Sequence, residues 1–376
     1  MRALALSVLT SAMLVAALAC SSSAPASAPT SATAGSGATA PAAPPSATPG
    51  ASTQPSRSDN APASPSTAPA YKANWSQVPG IVDPTNFGWP RRVKSAGGDV
   101  EIKQKPQRVH TLSLGADEIA LALVPPSRVV AVGTFTADPN FSNIADLVKD
   151  IPKIKRDAES ILAAKPDIVL VSQFTNAALV KQLQDAGVTV ALAEPPGGDP
   201  AARVLEGYET SILYLGYVLG EEKAAEELVG KTRARLKALA DAVPNTAQKP
   251  RVLFYLGKKF ANGKGTTADG IIRAAGGINV AAEAGITRAQ EVGLESLAAM
   301  RPDVIVVWAQ DLQEQKLTLA THPALQDVPA VRNGRIYGLP PKHIDTLSHW
   351  NQRGVDSLAR ILWPDAFAKV NLEPFP

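Results

Sequence analysis

The stretch Glu159-Ser-Ile-Leu-Ala-Ala-Lys-Pro-Asp167-Ile-Val-Leu-Val171 can be laid without a gap on Glu295-Ser-Leu-Ala-Ala-Met-Arg-Pro-Asp303-Val-Ile-Val-Val307. Six of the 13 positions are identical. Each copy reads as a short helix that opens on a glutamate near its positive end and stops before a proline. The chain then turns through an aspartate into an apolar strand. An unbroken run such as Ile168 to Val171 suits a strand covered on both faces, as in a parallel sheet sandwiched by helices. Two such units predict two similar α/β lobes.

Working outward, strands are expected at 108–113, 128–132 and 188–193, with helices at 116–123, 157–164 and 176–186, the last ending before Gly187. The plan restarts at Arg251. Strands at 252–255, 303–307 and 335–338 alternate with a helix at 268–275 stopped by Gly276-Gly277, and a terminal helix spans 348–362. Alternation of this kind implies right-handed crossovers and parallel sheets. Residues 203–243 have a helical pattern broken at Gly220, and a helix over 221–242 would be ~33 Å long at 1.5 Å per residue, a stiff bridge between lobes. Residues 91–105 alternate around Ala96-Gly97-Gly98 and predict a hairpin. The expected organisation is an N-terminal extension and hairpin at 71–107, a first lobe at 108–200, a connecting helical segment at 201–245 and a second lobe at 246–376.

Composition narrows the function. Lys plus Arg number 37 against 34 Asp plus Glu, a net charge of +3 with aromatics at 5%, which excludes a general nucleic-acid binder. A single cysteine excludes a disulfide framework and any multi-cysteine metal site. That cysteine closes an apolar N-terminal stretch. Arg2 followed by residues 3–19 fits a cleaved export signal at 1–19. The small residues Ala17 and Ala19 before Cys20 resemble the bacterial lipobox, although Ala17 stands where leucine is usual. The resemblance implies that Cys20 carries lipid. Residues 21–70 are almost entirely Ser, Ala, Pro, Thr and Gly, too poor in apolar side chains to offset the entropy of ordering. Residues 20–70 are therefore expected to be a disordered tether on a membrane-anchored protein.

This order of parts resembles the class III substrate-binding proteins of ABC importers, the siderophore- and cobalamin-type family, over about 93–367. The paired Glu…Pro-Asp segments carry the resemblance. Ala274-Ala275-Gly276-Gly277-Ile278-Asn279-Val280 and Asn333-Gly334-Arg335-Ile336-Tyr337 support it. It implies two Rossmann-like lobes with parallel sheets, a rigid joining helix, and a ligand in the cleft between them. It also implies that Glu159 and Glu295 project from the lobe tips toward arginines of a permease dimer served by a separate ATPase. The protein itself would be a monomer performing no chemistry, with no cofactor or metal of its own. Its cargo would be an iron chelate, cobalamin or heme.

Ligands of open α/β sheets gather at the carboxyl ends of the strands. The expected cleft lining is therefore Phe135, Gln173 and Phe174 from the first lobe. The second lobe would supply Tyr255, Trp308 and Gln310, with His343 and Trp350 from the loop before the last helix. Aromatics with a few polar tips suit a large, partly apolar chelate. Pocket charge depends on which of Lys258, Lys259, Lys264, Arg288 and Lys342 reach the cleft.

Three rivals remain, of which the metal-ion and enzyme readings fit less well than heme. A metal-ion importer protein needs about three histidines and a carboxylate together. The chain has four histidines in all, and only His343 and His349 could approach one another. Heme needs one Tyr or His ligand, for which Tyr255 and His343 are the candidates. An enzyme is opposed by the absence of Gly-x-Ser-x-Gly and by residues 257–266, whose glycines miss phosphate-loop spacing. A chelatase-like activity is the leading enzymatic alternative.

Overall fold

The computed structural model describes residues 70–95, 98–196, 206–246 and 248–372. The export signal, Cys20 and nearly all of the tether lie outside the described residues. Among the described residues no helix is long and apolar enough to cross a membrane.

The first lobe is a four-stranded sheet of β3 (Val109–Thr111), β4 (Val129–Ala131), β5 (Ile168–Val171) and β6 (Thr189–Leu192), ordered β4-β3-β5-β6 after the β1 (Arg91–Ser95) and β2 (Gly98–Ile102) hairpin. All three pairings in the sheet are parallel. Helices α1 (Leu114–Leu123), α2 (Ala158–Ala163) and α3 (Ala177–Asp185) make the crossovers. The residues before α1, α2 and α3 are Ser113, Asp157 and Asn176, and each side chain accepts a backbone N–H of the first turn. These are the caps that leave a helix start satisfied.

The bridge consists of two helices, α4 (Glu206–Leu219) and α5 (Glu222–Ala242). Gly220 between them has φ +70, the left-handed backbone that ends a helix at little cost to glycine. Buried Arg128 ties this junction to the first lobe through Glu221 and the Pro106 and Leu219 carbonyls. Early in α5, Ala225, Leu228 and Val229 belong to the first lobe's core. Late in α5, Leu236 and Leu239 pack into the second lobe's core. One helix thus serves two cores, which explains why the bridge is stiff rather than a hinge loop.

In the second lobe β7 (Arg251–Leu256) is followed by β8 (Phe260–Asn262), α6 (Thr267–Ala274), β9 (Ile278–Asn279), α7 (Val280–Glu283) and β10 (Ala289–Glu291). Then come α8 (Leu294–Met300), β11 (Val304–Trp308), α9 (Leu312–Thr321), α10 (Pro329–Arg332) and β12 (Ile336–Leu339). Short α11 (Pro341–Ile344), α12 (Gln352–Leu362) and α13 (Pro364–Phe367) finish the chain. The parallel core runs β9-β7-β11-β12. Antiparallel β8 and β10 extend it beyond the end of β7, an addition that periodicity alone did not predict.

The duplicated segments match in detail. Helices α2 and α8 each end at a positive-φ basic residue, Lys165 and Arg301. Asp167 and Asp303 then accept the backbone N–H of Gln107 and Arg251, at 2.7 and 2.9 Å. Arg108 and Arg251 in turn donate to carbonyls at the ends of those helices. Each Pro-Asp turn is thus fastened to the start of the neighbouring strand.

Candidate functional site

Residues of both lobes line a common cleft. On the first lobe, β5 runs into a turn closed by the Thr175 N–H on the Ser172 carbonyl at 3.0 Å. This turn projects Phe174, which is 75% exposed although it is a large aromatic. The ends of β3 and β6 add Ser113, Ala193 and Glu194 to the same wall.

The second lobe's wall is built from loops. Gly263 donates to the Arg288 carbonyl and Lys264 to that of Ile286, at 2.9 and 2.8 Å, so two loops run side by side. A Cβ at Gly263 would lie 2.0 Å from the Ile286 oxygen, so only glycine permits this approach. Thr266 caps α6 by accepting from Asp269 N at 3.2 Å and donates to the Gly263 carbonyl at 2.8 Å. Asn262, Thr266 and Arg288 reach the cleft from this rigid pair.

A third wall comes from the segment after β12. Asp345 and Leu347 border two cavities of about 320 and 310 Å³, both of which also include Phe174. Trp308, at the end of β11, donates its Nε1–H to Asp345 Oδ2 at 2.7 Å and fixes that side chain. Desolvation by the surrounding walls pushes the Asp345 carboxyl up to about 6, against the pull of the Trp308 bond. The cleft at neutral pH therefore offers a guanidinium, a carboxylate, an exposed aromatic ring and an aliphatic side chain.

The expected lining residues divide. Phe174 lines both cavities, and Trp308 orients Asp345. Phe135 is 65% exposed and borders an adjoining cavity of about 360 Å³ that shares Ser113 and Leu114 with the cleft. Gln173 and Gln310 are exposed but border none of these cavities.

Three of the expected residues are withdrawn into protein. Tyr255 is 3% exposed and fills the second core, because β7 continues into the β8 hairpin instead of ending there. Trp350 packs into the first lobe's core and borders only a small cavity against α5. Both ring nitrogens of His343 are buried without a hydrogen-bond partner, and burial pushes this histidine down to about 4. Sequence reasoning placed neither Asp345 nor Leu347. Arg288 was one of five cations it left unplaced; Lys258 and Lys259 pair instead with Glu314 and Glu291. The acids Glu159 and Glu295 are exposed in the first turns of α2 and α8.

The sequence profile of the periplasmic binding proteins matches residues 109–343, which spans both lobes and the bridge. The chain belongs to the periplasmic binding protein family. A cobalamin-binding protein of Halobacterium salinarum is 27% identical over 267 residues, 70% of each chain. An ABC transporter substrate-binding lipoprotein of Bacillus subtilis, YvrC, is 26% identical over 277 residues, 72% of this chain and 84% of that one. Among solved structures, the periplasmic heme-binding protein RhuT from Roseiflexus, in apo form, is 26% identical. It superposes with a TM-score of 0.57 over 69% of this chain and 99% of its own. The two-lobe class III architecture implied by the sequence is therefore the fold, and this binding protein has transport proteins, not enzymes, as its relatives. Among the described residues no group of three or more His, Cys, Asp or Glu side chains is placed to hold a metal ion.

Proposed function

We propose that this chain is the extracytoplasmic substrate-binding component of an ABC importer, anchored by lipid on Cys20 and acting as a monomer. Its cargo is a large chelate of the cobalamin or ferric-siderophore kind, whose metal is already fully coordinated. The observation that carries this reading is the pair of cavities sharing Phe174, Asp345 and Leu347, walled by both lobes. Apolar surface with a few convergent polar groups suits such a ligand. Among the described residues the walls of these two cavities carry no His, Cys or Met to complete an iron coordination sphere. The cobalamin-binding relative supports the same cargo class. Delivery follows from differential affinity: docking on the permease favours a more open arrangement of the lobes and releases the ligand.

Heme is the second reading. The RhuT likeness favours it; Tyr208 borders one cavity, but its side chain is 3% exposed in the first lobe's core and would have to turn outward to supply a phenolate. Tryptophan quenching of the purified protein against cyanocobalamin, a ferric hydroxamate and hemin separates the two. The proposal expects saturable 1:1 quenching by cyanocobalamin or the hydroxamate. Phe174→Ala should weaken binding by about tenfold or more, since burying an aromatic side chain is worth ~1.5–3 kcal/mol. Binding of hemin alone, with an iron–phenolate absorption band lost in Tyr208→Phe, establishes the heme reading instead. Binding of none of the three overturns both.

A further inference from the structure

The cleft-lining residues Asp345 and Leu347 sit on a strap, residues 342–351, that leaves the second lobe, touches the first and returns into α12. Its side chains alternate. Asp345 and Leu347 are exposed and border the cleft, whereas Ser348 and Thr346, the latter also bordering one of its cavities, are buried. The Ser348 hydroxyl donates to Glu118 of α1, a carboxylate with no solvent exposure. The other oxygen of Glu118 accepts both the backbone N–H and the side-chain amide of Asn143, each at 2.9 Å. That same amide also donates to the Lys342 carbonyl at 2.6 Å, so Asn143 grips the strap's beginning while Glu118 grips its middle. Beyond the cleft, Trp350 is buried in the first lobe's core.

The contact is also steric. A Cβ at Gly115, in the first turn of α1, would stand 2.7 Å from the Leu347 carbonyl oxygen. Glycine has no helix-forming merit there, since alanine is the better former by ~1 kcal/mol. Its value is the close approach of α1 to the strap. At the far end, a Cβ at Gly354 would meet the His343 carbonyl at 2.4 Å, so α12 presses equally closely on the strap's start.

We propose that Glu118 and Asn143 are positioning residues for ligand recognition: they pin the strap to the first lobe and thereby aim Asp345 and Leu347 into the cleft. The strap belongs to the second lobe in sequence but is held by the first. The two lobes are thus coupled by α5 and by this strap, and the second coupling carries ligand contacts. A buried carboxylate that accepts three hydrogen bonds is a strong fastening, because releasing any donor leaves a desolvated acceptor. The inference rests on the cleft being the ligand site.

The test compares wild type with Asn143→Ala, Gly115→Ala and the near-isosteric Glu118→Gln, all in the full chain. Amide hydrogen exchange is measured first without ligand, then binding of cyanocobalamin and hemin is titrated. Asn143→Ala, which removes the amide's two hydrogen bonds to Glu118 and the Lys342 carbonyl, and Gly115→Ala, whose Cβ forces α1 and the strap apart, should each speed exchange within 342–351 by about tenfold. They should weaken ligand binding by a similar factor and leave β3 and β5 unchanged. In Glu118→Gln the amide can donate to Ser348 while its oxygen still accepts from Asn143, so it should stay near wild type in both measurements. Unchanged strap exchange in Asn143→Ala and Gly115→Ala overturns the proposal, as does loosened exchange with unaltered affinity. If wild type binds neither probe, the cargo reading fails separately, and the ligand-free exchange still decides whether these residues hold the strap.

Discussion

Replacing Glu159 and Glu295 together with alanine is expected to abolish import while leaving ligand affinity within about threefold of wild type. Both side chains are exposed, and neither forms an ion pair or hydrogen bond among the described residues. Each stands in the first turn of its helix, at equivalent positions of a repeated unit. Their service to the fold is limited to the helix dipole, ~0.3–1 kcal/mol apiece. Neither borders the ligand cavities. Across a permease interface the balance differs. Truncating one partner of a desolvated charge pair costs ~2–5 kcal/mol, so losing two would weaken docking roughly a thousandfold. The check pairs whole-cell uptake with ligand titration of the purified double variant. Docking of wild type should also weaken with added salt, because exposed charges are screened over ~8 Å at physiological ionic strength. Loss of ligand binding with normal permease association would reverse the assignment.

The second large effect is on stability. Asp117 of α1 is fully enclosed, and its carboxyl accepts the Thr111 and Thr136 hydroxyls at 2.7 and 2.6 Å. Burial raises it from the usual 3.8 to about 7, against the lowering influence of those hydroxyls. The sign follows from linkage. The unfolded chain gives up this proton near pH 4 while the folded chain holds it to about pH 7. Stability from this group is therefore lost progressively as pH rises across that window. Asp117→Asn removes the titration. Its stability relative to wild type should rise by ~1.4 kcal/mol per pH unit between pH 4 and 7 and then level off. His349, which burial pushes down to about 3, acts on both proteins alike and cancels in the difference. Urea unfolding of the pair at pH 4, 5.5, 7 and 8 is the measurement. Curves that stay parallel throughout would contradict the burial-driven shift.

The fold was readable because its decisive features are local. A glutamate-led helix, a Pro-Asp turn and an apolar strand signal themselves within 13 residues, and the second copy confirms the first. The cleft was only partly readable, for a physical reason. Residues 252–256 of β7 are all buried, so no alternation marks which of them faces a ligand. Tyr255 looked like a strand end because the β8 and β10 extension has no strong apolar signal; all three residues of β10 are exposed. Phe174 was placed at the cleft because it follows β5 closely, at the carboxyl end where ligands of open sheets gather. Asp345 and Leu347 were missed because their role depends on a segment of one lobe being held by the other. Glu118, next to Asp117 in a helix whose other residues are apolar or glycine, was the available clue: a buried carboxylate in such a place requires a partner.

The central claim is that one ligand is held by both lobes at once. Hydrogen exchange of the full chain, with and without whichever of cyanocobalamin, ferric hydroxamate or hemin binds in the titration, addresses it most directly. The account predicts simultaneous protection of the turn around Phe174, the loops carrying Asn262 and Arg288, and the strap around Leu347. Protection confined to a single lobe, or to the small cavity behind Trp350, would contradict it.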